Sequence, residues 1–92
     1  MESEKKLKKK PATPKWFKGM IYSTGGKVTN PFSGDSYELT GLELSIHDFI
    51  IGCQMVFDNA PSTMTNKRIT EFQKALNWFR VNNPKAYYVL LD

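Results

Sequence analysis

From Thr40 onward the apolar residues recur with a helical period. Ile46, Phe49, Ile50, Cys53, Val56 and Phe57 follow at intervals of 3, 1, 3, 3 and 1, the spacing that lines up side chains on one face of an α-helix. Leu44, Ile51 and Met55 widen that stripe and predict the central, most buried helix of the fold. Its start is marked by Thr40 and Glu43, a capping box in which hydroxyl and carboxylate satisfy each other's free backbone N–H groups. Ser45 and Asp48 form a weaker version of the same pattern. Asn59, shortly before Pro61, should end the helix. After the loop "APSTMT", Ile69, Phe72, Leu76 and Phe79, flanked by Ala75 and Trp78, predict a second helix from Thr65 or Asn66 to about Asn82. Lys67 with Glu71, and Glu71 with Lys74, are spaced to pair on its outer face. The closing "PKAYYVLLD" carries two signals. Asn83 as a cap and Pro84 at the first helical position favour a short third helix, with Tyr87, Leu90 and Leu91 facing inward. The Tyr-Tyr-Val run favours a strand. The helix is the preferred reading.

Before Thr40 the helical period is missing. "GMIYSTGGKVTNPFSGDSYELTGLE" reads as short strands broken by turns. Met20–Tyr22 is one strand candidate, Lys27–Thr29 a second and Tyr37–Leu39 a third. Ser23–Gly26 is read as the first turn, its paired glycines supplying positive φ. Asn30-Pro31 and Ser33–Ser36 punctuate again. The expected architecture is a small α+β domain. An N-terminal antiparallel β-hairpin or three-stranded element packs on an antiparallel two-helix pair, with a short C-terminal element.

Charge changes the picture at the N-terminus. The 92 residues carry a net charge of +4, but it is unevenly spread. Residues 1–20 hold seven lysines and two glutamates, a balance of +5, and residues 21–92 are near neutral at −1. Residues 1–14, ending "KKKPATP", are expected to be a disordered basic arm. Residues 15–92 are expected to be one globular domain, ordered from about Trp16-Phe17. Twelve aromatic residues, each burying a large area, suit so short a chain to a compact core without disulfides. The single cysteine, Cys53, excludes an internal disulfide and a zinc finger. No apolar run is long enough to span a bilayer, and no apolar stretch follows the N-terminal charge as in a secretory signal. A soluble protein of a cytoplasmic, reducing compartment is expected, with no membrane association.

Candidate chemistry is sparse. His47 is the only histidine, with Glu43 four residues before it. A metal site needs three or four ligands, so a polar histidine on the outer helix face is the plainer reading. Cys53 lies about 240° around the helix from His47, which leaves no Cys–His pair, and it falls in the apolar stripe as a small hydrophobe. "STGG" and "NPFSGDS" match neither a phosphate-binding loop nor a calcium loop. The expectation is a protein that is not an enzyme and uses no cofactor or metal. The arm is the main functional signal. Lys5, Lys6, Lys8, Lys9 and Lys10 would attract a polyanion by counterion release. "KWFK", with Lys15, Trp16 and Lys18, adds rings between cations, as in single-strand binders. Against this, the lysines could serve solubility alone, and Trp16 and Phe17 could dock the arm's end on the core.

The stretches "GGKVTNPFSGDSYELTGLELSIHDFIIG" and "KALNWFRVNNPKAYYVLLD" resemble a group of short, uncharacterised proteins of T4-like marine phages that infect cyanobacteria. The resemblance covers most of the chain beyond Lys15. It implies a phage protein expressed in a bacterial host and brings no activity and no site residues with it. The function expected first is a non-enzymatic interaction module, a phage accessory protein that binds a host or phage protein. A nucleic-acid-binding protein using the arm is the second reading, and a small virion component the third.

Overall fold

The computed structural model describes residues 13–91. The order of elements is β1 (Gly26–Thr29), β2 (Ser36–Leu39), α1 (Gly41–Asn59), a 3-10 turn (Pro61–Thr63), α2 (Asn66–Asn82) and α3 (Pro84–Ala86), which runs on as a π-helical turn (Tyr87–Leu91). The described residues form a small α+β arrangement of one hairpin and three helices.

The hairpin follows from alternation. β1 and β2 pair antiparallel, with Gly26 opposite Leu39, Lys27 opposite Glu38, Val28 opposite Tyr37 and Thr29 opposite Ser36. Val28, Tyr37 and Leu39 point to the core, while the charged pair and the two hydroxyls face outward. Thr29 Oγ1 and Ser36 Oγ share a hydrogen bond of 2.9 Å. Asn30 organises the connection. Its backbone N–H donates to Asp35 O and its carbonyl accepts from the Gly34 N–H, both at 2.8 Å. Its side-chain Oδ1 accepts from Phe32 N at 2.8 Å. Gly34 takes φ +82°, a conformation that L side chains rarely adopt.

Among the described residues the sheet has two strands, and the third strand candidate does not join it. Met20–Tyr22 is not a strand, and Ser23–Gly26 is not a hairpin turn. Gly25 does not use a positive φ either. It is needed because a Cβ there would collide with the Leu39 carbonyl oxygen. The Met20–Tyr22 segment is instead spent on α1: Tyr22 N–H donates to Ser45 Oγ at 2.8 Å.

α1 starts with the full capping box, Thr40 Oγ1 accepting from Glu43 N and Glu43 Oε1 accepting from Thr40 N. Ile46, Ile50 and Cys53 are buried along its stripe. Met55, read as part of that stripe, is 58% exposed, because the far half of α1 is covered on one side only. The near half is wrapped from several directions, so Glu43, Ser45 and His47 are buried as well. α2, capped by Thr65, packs against α1 through Ala75, Trp78 and Phe79, with Phe72 edge-on to Phe57 at 5.2 Å. In its first turns Glu71, half-buried, stands 4.0 Å from Arg68.

The C-terminal segment is helical. Pro84 takes the first turn, and the Asn83 side chain accepts from Ala86 N at 3.2 Å. Ala86 and Leu90 are buried, Tyr87 and Leu91 half-buried. The segment latches two other elements. Asn83 Nδ2 donates to Glu43 Oε2 at 2.9 Å, and Asn30 Nδ2 donates to the Val89 carbonyl at 3.0 Å.

Candidate functional site

Two surfaces meet where the N-terminal segment joins the core. The first is built on Lys15–Lys18. Phe17 N–H closes a turn onto the Pro14 carbonyl at 3.1 Å. That turn directs Phe17 inward, where it is 8% exposed. Trp16 is half-buried, 5.9 Å from the Phe17 ring and 6.2 Å from Phe49 on α1. Lys15 and Lys18 remain exposed. A cleft of about 290 Å³ opens beside this turn, lined by Trp16, Lys18, Phe49, Lys67, Arg68 and Glu71, among others. Lys67 and Arg68 come from the first turn of α2, and the Arg68 guanidinium sits 5.5 Å from the Phe49 ring centre. Trp16 and Lys18 are thus brought together with two cations that sequence reading missed. Nothing in the chain's local spacing links residue 18 to residue 67. The missed signal is the "NKR" that opens the second helix. Lys5, Lys6, Lys8, Lys9 and Lys10 lie outside the described residues.

The second surface is the strip Met20–Tyr22. Met20 is 81% exposed, Ile21 43% and Tyr22 41%. The strip lies on α1 because Gly41 has no side chain: a Cβ there would collide with the Tyr22 carbonyl oxygen. It is pinned at Tyr22, whose N–H reaches Ser45 and whose hydroxyl donates to Asp48 Oδ2 at 2.6 Å. That carboxylate raises the Tyr22 pKa above 10.0, chiefly through the hydrogen bond.

His47 is buried, at 7% exposure, which overturns the outer-face reading. Its Nδ1 has no hydrogen-bond partner among the described residues and lies 3.8 Å from Asp48 Oδ1. Burial lowers its pKa from 6.5, with Asp48 pulling the other way. Glu43, its candidate partner, is engaged at Thr40 and Asn83 instead.

Cys53 is a buried free thiol. Burial raises its pKa, against a smaller lowering by Arg68 and with a further raise from Glu71. A second cleft of about 380 Å³ opens beside it, between Phe49, Val56, Met64 and Arg68. Phe32, on the hairpin connection, is 97% exposed. Among the described residues no three or more His, Cys, Asp or Glu side chains gather as metal ligands, and no helix is long and apolar enough to cross a membrane. No protein-family model, no curated protein and no solved structure matches the chain.

Proposed function

We propose that this protein is a non-enzymatic interaction module that docks on another protein through the strip Met20–Tyr22. The supporting observation is the exposure of Met20 and Ile21 on a segment that makes no sheet and is held to α1 at Tyr22. Contiguous exposed apolar side chains on a fixed backbone are the usual make-up of a protein-binding patch. The resemblance to small phage proteins makes a phage accessory role, acting on a host or phage protein in the host cytoplasm, the context of this proposal.

The second reading is binding of nucleic acid through the arm lysines Lys5, Lys6, Lys8, Lys9 and Lys10 with Lys15, Trp16 and Lys18. It is favoured by the placement of Lys67 and Arg68 on the cleft that Trp16 and Lys18 line. One experiment separates the two: affinity capture from infected-cell lysate with and without nuclease, using the natural protein and a Met20→Asp/Ile21→Asp variant. A protein retained after nuclease and lost from the folded variant supports the first reading. Material that nuclease removes, and that the variant still captures, supports the second.

A further inference from the structure

We infer that the cleft between Trp16–Lys18 and the first turn of α2 holds one nucleotide of a single-stranded nucleic acid, with the base against Trp16 and the phosphates on Lys18 and Lys67. This rests on the nucleic-acid reading and assigns it a place on the folded core. Three observations converge. The cleft, at about 290 Å³, is of the scale of one nucleotide rather than a duplex groove. Its walls combine aromatic rings with cations: Trp16 and Phe49, with Lys18, Lys67 and Arg68 around them. That is the pairing single strands require, since rings stack on bases of any sequence and cations follow the backbone. Finally, five lysines precede this turn in the sequence, at residues 5–10, and give the chain further positive charge for the rest of a strand's phosphates. Glu71, the one acid on the wall among the described residues, repels phosphate and accepts hydrogen bonds from base edges. It therefore sets the orientation, with the base inward and the backbone outward.

The test uses the full chain and a thymidine oligonucleotide, with inorganic polyphosphate and polyglutamate as polyanions that have no bases. Binding is followed in two ways: by anisotropy of the labelled oligonucleotide and by tryptophan emission of the protein. Trp78 is buried against Phe79, so a ligand-dependent change in emission reports Trp16. The oligonucleotide is expected to quench emission where polyphosphate and polyglutamate do not. Reversing two exposed cations, Lys18→Glu with Lys67→Glu, should abolish the quenching and flatten the log–log salt dependence by roughly 1.4, at about 0.7 per phosphate contact. Circular dichroism checks that the variant is folded. Binding by anisotropy with no quenching, or with a slope unmoved by the double reversal, overturns the cleft and leaves the strand on the arm alone. Equal quenching by polyglutamate overturns it in favour of an acidic polypeptide. No binding by anisotropy at low salt overturns the nucleic-acid reading itself.

Discussion

The His47 imidazole sits in the wrapped half of α1, and its pKa is lowered from 6.5 chiefly by burial. The unfolded chain therefore binds a proton more readily than the folded one, and folding is favoured most at higher pH. His47 contributes its full stabilisation above its ordinary value of 6.5 and loses it as the pH falls from there toward the lowered folded value. The melting temperature should fall on acidification through this window, and a His47→Leu variant should show a flatter profile. An identical profile in the variant would place the pH response elsewhere. Cys53 invites a second measurement. With its thiol buried and its pKa raised, it should react slowly with thiol reagents in the native state and rapidly in urea. Equal rates would mean that this face of α1 opens to solvent. The stripe around Cys53 was legible in the sequence. The burial of His47 was not, because periodicity shows the face of a helix that is apolar and cannot show how many other segments will wrap its first turns.

At the scale of elements, the caps carry the molecule. The Glu43 side chain accepts from Thr40 N and from Asn83 Nδ2, so one carboxylate serves the start of α1 and the start of α3. Asn83→Ala removes a helix cap and also leaves a buried carboxylate oxygen without its donor, and it should cost about 1–2 kcal/mol in urea unfolding. Asn83→Asp should cost more, since it sets a second carboxylate against Glu43. Gly25 is the matching test for the hairpin. Gly25→Ala forces a Cβ into the Leu39 carbonyl and should destabilise by more than Gly34→Ala, whose cost is the strain of positive φ alone, about 1–2 kcal/mol. Both α1 and α2 could be read from period and caps, and the competition between helix and strand at residues 84–91 is resolved by Asn83 and Pro84. Pairing could not be read the same way. Tyr22 and Ser45 are far apart in the chain, and a run of apolar residues beside two glycines looks the same whether it joins a sheet or lies along a helix.

For the molecule as a whole, the question is where the core begins. Phe17 belongs to the buried core and Trp16 packs on it. Residues before Thr13 bring almost no apolar surface, so deleting Met1–Thr13 should leave the melting temperature nearly unchanged. Trp16→Ala opens the aromatic cluster with Phe17 and Phe49 and should lower it by at least about 5 °C. A large loss on deleting the arm, or none on truncating Trp16, would move that boundary.

The latch at Asn83 also bears on synthesis. Glu43 and its donor Asn83 are 40 residues apart, an interval of roughly 2–8 s at a translation rate of about 5–20 residues per second. During that time the hairpin and α1 have been made while the groups that latch them, Asn83 for Glu43 and the Val89 carbonyl for Asn30, have yet to follow. Closure therefore waits until Asn83 and Val89 have both been made. A nascent chain that has released α1 but not yet α2 and Asn83 shows the apolar flank of α1 to solvent, a species for chaperones to hold until those partners emerge.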